Sequence, residues 1–89
     1  MTEYKERGSE IRGLAKTLVL HYMKATQVCQ PRKPGMTLAE IFRECGFDWG
    51  DQIKATSSNQ QYWVSAIMRE LEAEGITERV SESGPWRLL

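Results

Sequence analysis

Asn59, Gln60, Gln61, Tyr62, Ser65 and Arg69 carry the side chains best suited to recognition chemistry in this chain of 89 residues. Asn and Gln amides present a donor and an acceptor in one plane, which matches the edge of adenine. A guanidinium fork matches the two acceptors of guanine. At about 100° per residue, Tyr62, Ser65, Ala66, Arg69 and Ala73 share one side of a helix. Ser65 and Ala66 are small, so another molecule can approach between Tyr62 and Arg69, and a helix of this kind fits a DNA major groove. The competing reading is a capped, solvated surface helix. It explains any one of these residues well, and the whole face less well.

Other chemistries find no support in the sequence. His21 is the sole histidine, and Cys29 and Cys45 are the only cysteines, without paired CxxC spacing. One histidine and two distant cysteines do not make a four-ligand zinc set, so no metal is expected. No glycine-rich phosphate loop follows a strand, and no Ser–His–Asp or Cys–His arrangement has supporting spacing. Glu70, Glu72 and Glu74 alternate around a helix rather than facing one site. No enzyme activity and no cofactor are expected. Cys45 ends an apolar stripe and reads as a small buried residue, Cys29 sits at a helix-to-loop junction, and His21 reads as a boundary residue.

The element that must position the recognition face is a helix over residues 58–74. Val64, Ile67, Met68 and Leu71 recur at i, i+3, i+4 and i+7, the mark of one buried face. Ser57 or Ser58 can cap its start, and Gly75 fits its stop. Residues 76–81 and 85–89 then read as two strands around a Glu82-Ser83-Gly84 turn. Trp86 and Leu88 fall on one strand face, Arg87 and Leu89 on the other. Alternation alone does not say which pair is buried, although Trp86 is the better core candidate.

Upstream, residues 1–8 read as a flexible, frayed tail. Ser9 caps a first helix through about residue 28, with Ile11, Leu14, Ala15, Leu18, Val19 and Tyr22 as its stripe. The prolines of Gln30-Pro31-Arg32-Lys33-Pro34-Gly35 break it, and a very short strand is expected near residues 35–37. Thr37 and Glu40 have capping-box spacing for a second helix whose buried stripe is Leu38, Ile41, Phe42 and Cys45. Gly46 stops it.

VSAIMRELEAEGITERV resembles the recognition helix and first wing strand of winged helix-turn-helix proteins, including MarR-like and PadR-like regulators. The matching residues are Val64, Ile67, Met68, Leu71, Gly75, Ile76 and Val80. MTLAEIFRECG resembles the first helix of the helix-turn-helix pair, so the likeness spans roughly residues 36–89. It implies an α+β fold of three helices and a small C-terminal antiparallel β-hairpin wing, in a single domain over residues 9–89. It also implies a transcriptional regulator or accessory factor that reads duplex DNA through helix 58–74. The sequence departs from this pattern in two places. Residues 46–57 are far longer than the usual connection of about 3–4 residues; Phe47, Trp49 and Ile53 are expected to tuck back, or Trp49 to meet a partner. The wing tip carries Glu82 where DNA-binding wings often carry a basic residue.

Charge permits DNA binding without predicting it. Twelve Lys/Arg balance twelve Asp/Glu, whereas nonspecific affinity comes largely from cations that displace phosphate counterions. Residues 1–45 hold eight basic against five acidic side chains, a net of +3, and residues 46–89 hold four against seven, a net of −3. Candidate phosphate contacts are Arg12, Lys16, Arg32, Lys33, Arg79 and Arg87, with a solvated surface as the plainer reading of each. The alternative function is a winged-helix module that docks protein, not DNA, through Trp49, Tyr62 or Trp63. A homodimer is compatible with either, and the sequence identifies no dimer surface. No apolar run approaches the roughly 18 residues a membrane span needs, and no secretory leader is recognisable, so a cytoplasmic location is expected.

Overall fold

Each helix buries one apolar face, and the fold is the arrangement that brings those buried faces together over a short hairpin. The computed structural model describes residues 2–47, 61–82 and 84–89. Helix α1 spans Thr2–Ala25, α2 Leu38–Glu44 and α3 Gln61–Ala73; strands β1 and β2 span Thr77–Arg79 and Trp86–Leu88, and a 3-10 turn covers Gln27–Cys29. The class is α+β, three helices with a two-stranded antiparallel sheet at the C-terminal end. In the sheet Thr77 lies opposite Leu88, Glu78 opposite Arg87 and Arg79 opposite Trp86.

α1 starts at Thr2, seven residues before the expected cap at Ser9. Residues 2–8 are therefore helical where a frayed tail was expected. Glu3 and Arg7 pair one turn apart at 2.9 Å, and the Arg7 guanidinium stands 5.6 Å from the Tyr4 ring centre, so local contacts extend the helix outward. Its other end comes earlier than expected, at Ala25. The Gln30 side-chain amide donates to the Met23, Lys24 and Thr26 carbonyls at 3.0 Å each and takes up the acceptors left over at the helix end.

The core-facing stripe of α1 also differs from expectation. Ala15, Val19 and Met23 are buried, whereas Ile11, Leu14 and Leu18 are exposed. The apolar arc of α1 is wider than its contact with the core: Ala15, Val19 and Met23 enter the buried cluster, and Leu20 and Tyr22 pack against it half-buried. α2 follows its sequence closely. The Thr37 hydroxyl accepts from the Glu40 N–H at 3.2 Å, and Ile41 and Phe42 are fully buried. Cys45 is only half-buried, at the C-cap of α2. In α3, Val64, Ile67, Met68 and Leu71 are all buried, as their spacing predicts. Gly75 at φ 77 closes it, with the Ile76 N–H bonded to the Leu71 carbonyl at 3.0 Å.

One cluster joins Val19 and Met23 of α1, Cys29, Ile41 of α2, Ile67, Met68 and Leu71 of α3, and Trp86 and Leu88 of β2. The sheet therefore buries its Trp86–Leu88 face, while Leu89 is exposed and Val80 partly so. Phe42, Phe47 and Trp63 form an aromatic group beside the cluster, with ring centres 4.6 to 6.1 Å apart. Phe47 thus tucks back as expected; Trp49 and Ile53 lie outside the described residues. The strand expected near residues 35–37 is a single bridge. Met36 donates to the Trp86 carbonyl at 2.9 Å and accepts from the Trp86 N–H at 2.8 Å.

Thr77 is the one buried polar residue among those described, and its hydroxyl has no hydrogen-bond partner. An unsatisfied buried hydroxyl carries a desolvation penalty that a methyl group of similar shape avoids. Thr77→Val is therefore expected to be neutral or to stabilise by up to about 1 kcal/mol, read from urea midpoints. A loss above about 1 kcal/mol would show that the hydroxyl is satisfied after all.

Candidate functional site

α3 presents Ser65 and Arg69 on the side away from Ile67, Met68 and Leu71, and β1 ends in Arg79. These three side chains meet at one cleft of about 340 Å³. Its remaining walls are Thr37, Leu38 and Ala39 at the start of α2, and Gly84, Pro85 and Trp86 leading into β2. The bridge between Met36 and Trp86 fixes these two walls side by side. Sequence reasoning found Ser65, Arg69 and Arg79 but missed Thr37, Ala39 and Pro85. Thr37 was legible only as a cap, and nothing in the periodicity of either segment places α2 beside the hairpin.

The cleft is positively charged. Arg69 is exposed, and no carboxylate among the described residues pairs with it. Arg79 lies 5.4 Å from the Trp86 ring centre and donates to the Glu82 carbonyl at 2.8 Å, so its position is held without cancelling its charge. Two guanidiniums and a hydroxyl around one opening suit an oxyanion such as a phosphate, since guanidinium forks match its paired oxygens.

The other expected cations are placed differently. Arg12 pairs with Glu70 at 3.1 Å, and Lys16 with Glu70 at 3.3 Å and Glu74 at 2.6 Å. The Glu74 hydrogen bond, set against some desolvation and helped by Glu70, holds the Lys16 ammonium above its ordinary pKa. These pairs tie α1 to the end of α3 and use the acidic run that crowds it. Arg87 pairs with Glu78 at 2.7 Å across the sheet and donates to the Lys33 carbonyl at 3.0 Å. Arg32 and Lys33 are exposed on the loop after the 3-10 turn, Arg32 at φ 68.

Of the remaining recognition candidates, Gln61 and Tyr62 belong to the first turn of α3, with side chains outside the described residues. Asn59 and Gln60 lie outside the described residues altogether, as do Ser57 and Ser58. Trp63 packs against both Phe42 and Phe47 and is half-buried. Cys29 and Cys45 are free thiols, and burial raises the pKa of each, which opposes a thiolate nucleophile. No helix among the described residues is long and apolar enough to cross a membrane. Compared with protein-family models, with curated proteins and with solved structures, the chain matches none of them.

Proposed function

We propose that the chain is a winged helix-turn-helix module that binds duplex DNA, as a transcriptional regulator or an accessory factor. α3 lies in the major groove with Ser65 and Arg69 toward base edges, joined by Asn59, Gln60, Gln61 and Tyr62. Arg79 on the hairpin takes an adjacent phosphate. One observation carries this reading: Arg69 and Arg79, from different elements, converge on one cleft, and no carboxylate among the described residues pairs with either.

The phosphate contribution is small in this reading. Arg12, Lys16 and Arg87 are held by carboxylates, which leaves Arg32, Lys33 and Arg79. About three phosphate contacts give a slope of log affinity against log salt of roughly −3. Fluorescence anisotropy with labelled duplexes across a salt series tests this. Arg69→Ala is expected to cost about 1–3 kcal/mol against the preferred sequence and to level the preference; Arg79→Ala should weaken all duplexes alike and flatten the slope by about 1. A random duplex that neither binds at low salt nor perturbs Arg69 would end the proposal.

A second reading, protein docking without DNA, is favoured by that same pairing of Arg12, Lys16 and Arg87, which leaves little basic surface. It expects a partner held through Trp49, Tyr62 or Trp63, lost on Trp49→Ala and kept in excess duplex.

A further inference from the structure

Helix α1 leaves a second apolar stripe uncovered, on the flank next to its core-facing side. Tyr4, Ile11, Leu14 and Leu18 are 61, 66, 71 and 43% exposed. Their spacing of seven, three and four residues is that of a and d positions in a two-helix seam. Such side chains along one line are too concentrated to be the scattered apolar residues of an ordinary surface. We propose that this stripe is a self-association surface, on which α1 of one copy packs antiparallel against α1 of a second copy.

Charge selects the antiparallel direction. Glu3, Glu10, Thr17 and Lys24 recur at seven-residue spacing along the outer edge of the stripe, acidic toward the helix start and basic at its end. Placing Ile11 against Leu14 of the second copy sets Glu3 against Lys24 of that copy, and does so twice by symmetry. A parallel pair would instead set Glu3 and Glu10 against the Gly8, Ala15 and Tyr22 edge, where no charge answers them. Opposed helix dipoles act in the same direction.

The area is of the right order. The four side chains expose on the order of 400 Å² per copy, at the level of the largest apolar patch on a typical monomer. Beyond Ile11 the patch continues into a groove of about 290 Å³ shared with Trp63 and Ala66 of α3. Even with the stems of Arg7, Glu10 and Lys24 added, the contact stays below the roughly 800 Å² per partner of a standard complex, so a weak dimer in the micromolar range is expected. The 24-residue helix is about 36 Å long and already anchored by Ala15, Val19 and Met23, so association carries no helix-nucleation penalty.

Sedimentation equilibrium of the full chain from about 1 to about 200 µM tests this. The expected result is a mass rising to two chains within that range. Leu14→Glu sets two carboxylates close to the symmetry axis and is expected to raise the dissociation constant at least about tenfold; the neutral Leu14→Gln should raise it less. Glu3→Lys alone is expected to weaken the dimer about three- to tenfold, and Glu3→Lys with Lys24→Glu to restore it. All three substituted positions, Glu3, Leu14 and Lys24, are exposed, so circular dichroism should find each variant folded. A chain that stays monomeric throughout, or a dimer indifferent to both Leu14 variants, overturns the proposal. A dimer that the double swap fails to restore overturns its antiparallel arrangement.

Discussion

Phe42→Ala is expected to destabilise the fold by about 3–5 kcal/mol, the range for removing a fully buried aromatic ring. Phe42 is wholly buried, and its ring lies 6.0 Å from Phe47 and 6.1 Å from Trp63, both edge-on. Its loss empties the junction of α2 and α3 and strips both partners of a packing surface. α2 has seven residues, far short of the length at which an isolated helix holds in water. Its existence depends on burying Ile41 and Phe42, with the Thr37 cap in support. For a domain of this size a loss of that order lowers the thermal midpoint by roughly 15–30 °C. Against a typical total of about 5–15 kcal/mol, the variant stands close to unfolding. Thermal and urea melts followed by circular dichroism check this. A change below about 1 kcal/mol would mean that Phe42 is not central to the core.

Gly35→Ala is expected to cost about 1–3 kcal/mol through the backbone alone. Gly35 has φ 84, a conformation that side-chain-bearing residues adopt only with strain. A methyl group there would lie 2.7 Å from the Trp86 carbonyl oxygen and 3.0 Å from a Val80 methyl. The carbonyl cannot swing aside, because it accepts the Met36 N–H that joins this loop to the hairpin. The same bridge sets two walls of the cleft next to each other, so the substitution should also loosen the site between Arg69 and Arg79. Gly13→Ala is the control. Gly13 lies within α1 with nothing near the new methyl group, and alanine there should stabilise by about 0.5–1 kcal/mol. Opposite signs at the two glycines are the expected result. A shared sign would show that Gly35 does not need its left-handed backbone.

The cleft and the α1 stripe lie in different parts of the molecule, so their tests fail separately. A monomer that binds duplex DNA would remove the self-association surface and keep the recognition reading. A dimer indifferent to DNA would do the reverse. If both hold, two copies of α3 are presented together, the arrangement by which two-fold proteins meet paired half-sites.

Local chemistry made much of this protein legible from its residues. The four-residue stripe of α3, the Thr37–Glu40 cap, the glycine that ends α3 and the two strands around Glu82 each depend on groups a few positions apart. Repeat spacing and capping act over that same distance. Ser65, Arg69 and Arg79 were recognisable in the same way, because their type and their place on an element are local properties. Three decisions belonged to the tertiary structure. α1 has an apolar arc wider than its contact, and only the approach of α2, α3 and β2 selected Ala15, Val19 and Met23 over Ile11, Leu14 and Leu18. The ion pairs of Arg12 and Lys16 with Glu70 and Glu74 span more than fifty positions. Whether those cations were free or neutralised therefore depended on how two helices met. The cleft arose because one bridge, Met36 to Trp86, drew the start of α2 against the hairpin. Spacing along a chain reports which residues share a face, but the body that covers a face comes from segments far away in sequence.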